Sequence, residues 1–345
     1  MTTPAAQLPL ITGSQRINTA AELLVKNPYD GSVVGHVAMG DASHLDQAVS
    51  AAHKAFDTTR RQPPHERAEL LLRVAAAIKT HAADLAATIV AESGKPIVLA
   101  EAEVARAVIT FTCAADVARQ SSSEVLDAGA YAPGARHLAI SKRFPLGVVY
   151  GMTPFNFPLN LVAHKIAPAI ACGATIVVKP SPRTPITALK LVNFINDCGA
   201  VPGQVNVVTC PNELAMNPVH DARVKTASFT GSVPVGWQIK QQALKKKVTL
   251  ELGGNAAVVV HEDADIDAAI PLIAAGAFAY AGQSCISVQR ILVHRPIYQS
   301  FRDKLVGYVN VHIRSGDPNS RDVLNGPLIT AEAQDRVLAQ IGNAL

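Results

Sequence analysis

A chain of 345 residues is longer than one ordinary hydrophobic core can serve, so two domains are expected. With 49% hydrophobic and 17% charged residues and a net charge of only +4, it reads as a folded α/β protein, and the lack of a basic stripe interleaved with aromatics argues against a nucleic-acid partner. Five dispersed cysteines (Cys113, Cys172, Cys198, Cys210 and Cys285) with no Cys-x-x-Cys pair argue against a disulfide framework and for a reducing compartment. Residues 1–12 have neither a basic start nor a sustained apolar core. The apolar stretches 161–178 and 268–282 are too short or too interrupted to cross a bilayer. A cytoplasmic protein without membrane contact is the expectation.

In chain order, residues 1–20 carry no periodic signal and read as an irregular lead-in. Asn27-Pro28-Tyr29-Asp30-Gly31 reads as a turn between strands, with Asp-Gly supplying the positive φ a tight hairpin needs. Apolar spacing of three and four predicts helices over 42–56, 64–81, 82–92 and 96–119. Between the last two, Ser93-Gly94-Lys95-Pro96 is a stop followed by a restart. Residues 128–142, with Gly129, Pro133 and Gly134, read as an extended arm. From Phe144 the pattern becomes short apolar strands (147–150, 174–179, 204–209, 224–229) alternating with helices (161–171, 186–196). That alternation predicts a parallel sheet covered on both faces, with ligands bound beyond the strands' carboxyl ends. The basic run Lys245-Lys246-Lys247 reads as a solvated helix end.

Chemistry concentrates between Val248 and Arg290. Glu251 ends a strand-like run, and Gly253-Gly254 behind it permits close approach of a ligand. Cys285 falls where a helical segment gives way to a β-branched run, and such joins collect catalytic groups. Alone, each has a plain structural role: Cys285 as a small buried hydrophobe, Glu251 as a helix cap. Together they could be a nucleophile and a general base meeting over one substrate carbon. The acidic run 261–267 is not a calcium loop, since Ala268 and Ala274 stand where such a loop needs Gly and a bidentate Glu. It reads instead as the start of a helix over 265–281. The eleven histidines show no metal-ligand spacing, so no metal is expected.

Leu250-Glu251-Leu252-Gly253-Gly254 and Gly282-Gln283-Ser284-Cys285 resemble the two signature motifs of the aldehyde dehydrogenase superfamily, in the family's order and at a similar separation. The Asn27–Gly31 turn, Pro154-Phe155-Asn156-Phe157-Pro158 and Gly326-Pro327-Leu328-Ile329 are similar to further family segments. The resemblance implies an α/β, aldehyde dehydrogenase-like fold: a Rossmann-type dinucleotide-binding domain (1–127 and 144–253), an oligomerisation arm (128–143) and a partial catalytic domain (254–345). It implies that Cys285 is the nucleophile, Glu251 the general base, and Asn156 with the Cys285 backbone N–H the oxyanion donors. It implies NAD or NADP as cofactor, bound by Thr153, Pro154, Phe155, Lys179, Ser181, Pro182, Phe229, Gly231, Ser232, Leu252 and Gly253. Members that prefer NAD often carry a Glu where this chain has Pro182, which leaves NADP open.

Arg106 stands where some relatives acting on small acidic aldehydes place a substrate-facing Arg, and Arg290 is a second candidate; surface ion pairing is the competing role for both. The branch resembled oxidises short functionalised aldehydes such as lactaldehyde, phosphonoacetaldehyde and semialdehydes. The family continues beyond the point where this chain ends, so a C-terminal truncation is expected, without the last strand of the oligomerisation sheet. A homo-oligomer is the family's habit, and the missing strand counts against it here. Two other readings stay open: a catalytically impaired dinucleotide-binding or oligomer-forming relative, and a CoA-acylating dehydrogenase, against which Glu251 argues.

Overall fold

In the computed structural model, residues 7–120 and 123–344 are described. A seven-stranded sheet runs in the order Lys247–Glu251, Val224–Thr230, Val148–Met152, Thr175–Lys179, Val205–Val207, Leu10–Thr12, Gln15–Ile17. The first five strands are parallel to one another, and the last two join antiparallel at the edge. That edge corrects the reading of residues 1–20 as irregular. Ile11 pairs with Val207, and a turn at Gly13 returns the chain as a second strand. Strands of three residues are too short to show a period of two. The part of the expectation that fell on residues 1–6 lies outside the described residues.

Side-chain alternation explains why the sheet is covered on both faces. Ile176 and Val178 enter one core with the helices Pro64–Thr80, Ala82–Ser93, Ile97–Arg119, Asn160–Cys172 and Ile186–Asp197. Val177, between them, enters the other core with Tyr150, Ala48 and Ile239, packing against the helices Ala42–Thr59 and Val233–Gln242. The predicted helices therefore stand within a few residues of their expected ends. Asp41 starts the first of them, its carboxylate accepting from the Ser43 and His44 N–H groups.

The turn at 27–31 joins the antiparallel strands Glu22–Lys26 and Val33–Ala38, with Gly31 at φ +73°. Gly94 ends its helix at φ +66°, and a Cβ there would lie 2.5 Å from Pro327 Cγ, so both the turn and the close approach require glycine. Ala139–Ser141 of the expected arm pairs antiparallel with Glu124–Leu126, which precedes the arm's expected start, and Val125, Tyr131, Leu138 and Ile140 are exposed. In Lys245-Lys246-Lys247 the first and third residues are exposed, as the solvated reading expects, and only the middle one departs from it. Lys246 is half-buried and donates to the carbonyls of Asp221 and Val224, while Lys247 already belongs to a strand.

A second sheet pairs Ala256–Val260 in parallel with Val288–Val293. Helices Ile266–Phe278 and Tyr298–His312 pack on it through Ile270, Ile273 and Phe301, whereas Val259 and Leu292 are exposed. Asp265 caps the first of these helices through the Ala268 N–H. The helix stops at Phe278, short of the expected 281, because Tyr280 and Ala281 adopt left-handed φ of 54° and 55°. The helix Ala331–Ala344 closes the chain. No single helix among the described residues is long and apolar enough to cross a membrane.

Two helices begin on buried carboxylates from another helix. Glu92 receives the Ile186 and Thr187 N–H groups and the Thr187 hydroxyl, and Glu103 receives those of Leu159 and Asn160. Burial raises the Glu92 carboxyl to about 7 from its ordinary 4.5, and its hydrogen bonds only partly offset this. A carboxyl whose folded pKa is raised stabilises fully below the unfolded pKa, and that contribution fades as pH rises through the folded one. Over this window the change amounts to roughly 3 kcal/mol. Urea unfolding of wild type should therefore lose stability between about pH 4.5 and 7 relative to Glu92→Gln, whose amide does not ionise. Parallel curves for the two proteins would contradict the buried-carboxyl account.

Candidate active site

The register of the parallel strands places four strand ends on one rim. Met152 pairs with both Lys179 and Phe229, and Thr230 pairs with Glu251. Thr153–Asn156, Lys179–Pro182, Gly231–Ser232 and Leu252–Gly253, far apart in sequence, thus emerge beside one another. Every residue expected to hold a dinucleotide lies on or beside this rim.

The rim has the features of an anion cradle. Ser232 precedes the helix Val233–Gln242 and no side chain caps it, so first-turn N–H groups face the rim. Gly231 N–H donates to the Glu251 carbonyl. The ring of Phe229 lies over Gly231, and Leu252 packs so closely on Gly236 that a Cβ there would be 2.5 Å from its Cδ2. The Thr153 hydroxyl is buried with no partner among the described residues. Lys179 is buried, which depresses its pKa, and Nζ donates to Asn212 Oδ1 at 3.0 Å. Ser181 Oγ accepts from the Arg183 N–H, and Pro182 stiffens the turn. Free N–H groups, a glycine and an orphaned hydroxyl fit a phosphate-bearing dinucleotide.

Three features bring the segments carrying the expected reactive residues together. Asn156 Nδ2 donates to the Gln283 carbonyl at 2.8 Å, which joins the 154–158 loop to the turn holding Cys285. A Cβ on Gly254 would meet the Cys285 carbonyl oxygen at 3.0 Å, so the segment after Glu251 runs against the same turn. The left-handed Tyr280, Ala281 and Gly282 lift that turn off the helix end, and such conformations in non-glycine residues persist only where packing enforces them. Cys285 is exposed, and its backbone N–H has no intramolecular acceptor among the described residues. Asn156 keeps its second amide proton, and its Oδ1 is buried without a partner.

Two residues here, Lys165 and His164, were assigned no chemistry from the sequence. Lys165 is buried and donates to the Ser228 and Thr230 hydroxyls at 3.1 and 2.9 Å; burial pulls its pKa down to about 8 while the charge of Glu251 pulls it up. His164 is held below its usual pKa by burial, then by Arg106 and Lys165, with Glu251 opposing. Gln283 braces the turn twice more, donating to the Pro327 carbonyl and accepting from the Ile329 N–H. Arg106 lies over Phe157, its guanidinium carbon 5.7 Å from the ring centre. Arg290 donates to the Asn255 carbonyl and so braces the loop that follows Glu251. A buried Lys among apolar helix residues leaves no periodic mark; the only available signal for Lys165 was a charge on a face otherwise reading as core.

Away from this rim, His261, Glu262 and His294 cluster, with ligand atoms within 4.8 Å of one another. The two rings stack 5° from parallel, so their in-plane lone pairs do not converge on one ion.

Comparison with known proteins agrees with this geometry. Residues 16–345 match the aldehyde dehydrogenase family. The chain is 38% identical over 321 residues to aspartate-semialdehyde dehydrogenase 1 of Pseudomonas canavaninivorans, covering 93% of this chain and 68% of that one. Among solved structures it resembles aldehyde dehydrogenase 21 of Physcomitrella patens in complex with the reaction product succinate, with TM-score 0.92, 36% identity, and coverage of 97% and 70%. It also resembles the glyceraldehyde-3-phosphate dehydrogenase GapN of Methanocaldococcus jannaschii complexed with NADP, with TM-score 0.87, 35% identity, and coverage of 92% and 70%. The chain spans 63% to 70% of the length of the curated relatives it matches. With motif order, sheet topology and near-complete coverage in agreement, the chain belongs to the aldehyde dehydrogenase family.

Proposed function

We propose that the chain oxidises a short aldehyde carrying an anionic group to its carboxylic acid, using Cys285 as nucleophile and NAD or NADP as oxidant. The observation that supports this most is the Asn156–Gln283 hydrogen bond, which ties the loop of the amide donor to the turn that carries the exposed thiol. On this reading the Cys285 sulfur adds to the aldehyde carbon as the thiolate, its proton having left to solvent. The oxygen that gains charge accepts from Asn156 Nδ2–H and from the Cys285 N–H, both of which have a proton to offer. Thr153–Phe155, Lys179, Ser181, Pro182, Phe229, Gly231, Ser232 and Leu252–Gly253 would hold NAD or NADP, which would supply the hydride acceptor. The resulting thioester is cleaved by water whose proton passes to Glu251, and the Cys285 thiolate leaves.

The assignment of residues 1–127 and 144–253 to a dinucleotide-binding domain, 128–143 to an oligomerisation arm and 254–345 to part of a catalytic domain belongs to the same proposal. The exposed Ile140 of the arm, with Val125 on the strand it pairs with, suits pairing with a second copy. Pro182 offers no carboxylate to repel a 2′-phosphate, so both dinucleotides are admitted. Arg106 is the cation that would meet an anionic substrate, a reading supported by its position beside Phe157 and close enough to His164 to lower that residue's pKa. Aspartate semialdehyde, glyceraldehyde 3-phosphate and succinate, named for the relatives above, all carry such a group. A dinucleotide-binding relative without turnover is the second reading, favoured by the uncovered Val259 and Leu292 face of the small sheet.

Rapid mixing of the chain with an anionic semialdehyde and either dinucleotide should give a burst of reduced nicotinamide, absent in Cys285→Ala. Glu251→Gln should keep the burst and lower steady turnover by roughly 10²-fold or more; Asn156→Ala should slow the burst by about 10²- to 10³-fold. A folded chain that binds dinucleotide but gives no burst overturns the reaction. Arg106→Met should raise KM for the semialdehyde by roughly ten-fold, from the loss of a charged hydrogen bond, and leave an unbranched neutral aldehyde unaffected. Equal changes for both substrates would contradict the anion-binding role.

A further inference from the structure

Beneath the site lies a cation that the mechanism above does not use. Lys95, 1% exposed, extends from the turn between Ala82–Ser93 and Ile97–Arg119. Its ammonium pairs with Glu103, itself 1% exposed. It also sits 3.7 Å from the centre of the Phe157 ring and 5.0 Å from that of Tyr280. Phe157 adjoins Asn156. Tyr280 opens the left-handed segment leading to Cys285, and its hydroxyl donates back to the Ser93 carbonyl at 3.0 Å. Through its other oxygen Glu103 holds the Leu159 and Asn160 N–H groups at 2.9 and 3.0 Å, where no side chain of the loop itself caps the helix. One buried ammonium therefore touches both segments whose separation decides whether an amide donor and a thiol face the same oxygen.

We propose that Lys95 is a positioning residue: its ammonium, held by Glu103 and enclosed by the rings of Phe157 and Tyr280, fixes the Asn156 loop against the Cys285 turn. The proposal rests on the reaction given above for its kinetic consequence, but not for its structural one. A desolvated cation over two aromatic faces is bound more firmly than an exposed one, and an apolar side chain of equal length keeps the volume while losing that attraction.

Removing Lys95 alone would leave Glu103 buried and unpaired, which is itself destabilising. The test therefore uses Lys95→Met combined with Glu103→Gln, whose amide oxygen still receives the Leu159 and Asn160 N–H groups. Hydrogen exchange on the full chain should show residues 153–160 and 280–286 losing protection together while the parallel strands keep theirs. Unchanged protection, or loss in one segment only, overturns the clamp whether or not the chain turns over aldehyde. In the burst assay the double variant should acylate Cys285 about 100-fold more slowly, with aldehyde KM within about three-fold of wild type. The same change in an Asn156→Ala background should add nothing, since both act through one donor, and Lys95→Arg should restore part of the rate. A slowing that multiplies with Asn156→Ala overturns the proposal. A wild-type chain that gives no burst, with both segments still loosened by the double variant, overturns the reaction and supports the clamp.

Discussion

A parallel sheet buried on both faces has only its strand ends to offer a ligand, and that constraint organises this molecule. Ile176 and Val178 point into one core and Val177 into the other, so this strand offers mostly apolar side chains to both faces. The residues proposed to react and to cradle the dinucleotide gather at the carboxyl rim, where Met152, Lys179, Phe229 and Glu251 lie within pairing register of their neighbours. Residues a hundred positions apart become neighbours because parallel pairing leaves them nowhere else to emerge.

The rim alone does not place Cys285, which belongs to the turn before the second sheet. Three short-range devices bridge the two: the Asn156 amide on the Gln283 carbonyl, the bare Cα of Gly254 against the Cys285 carbonyl, and the left-handed run at Tyr280 and Ala281. Under them lie ionisable groups taken out of water at considerable cost. Glu92 and Glu103 offset that cost by accepting helix-start N–H groups, Lys95 by its pairing with Glu103 and two rings, and Lys165 by two hydroxyls. Buried charge in this fold coincides with the points where one segment must be held at a set distance from another.

Much of this was legible in the residues. Helices with clear three-and-four spacing and Gly or Pro at their ends, such as Ala82–Ser93 followed by Ile97–Arg119, carry their own boundaries. The Glu251 and Cys285 segments stood out because glycines and a helix-to-strand join are uncommon company for a carboxylate and a thiol. The edge strands Leu10–Thr12 and Gln15–Ile17 were not legible, since three residues show no period and their pairing with Val207 is a long-range event. The halt of the helix at Phe278 was hidden because nothing in Tyr280 or Ala281 favours positive φ; tertiary packing imposes it. Nothing in the sequence marks Lys95 and Glu103 as inward-facing, and only the folded chain shows it.

The central claim is that Cys285 carries the acyl group and that Glu251 is needed to release it. The most direct measurement is peptide mass analysis of Glu251→Gln after incubation with a short anionic aldehyde and NAD or NADP. The account predicts an acyl adduct on the Cys285 peptide, with the exposed Cys113 and Cys172 left unmodified. An unmodified Cys285 in folded, dinucleotide-bound protein, or an adduct spread evenly over the exposed cysteines, would contradict it.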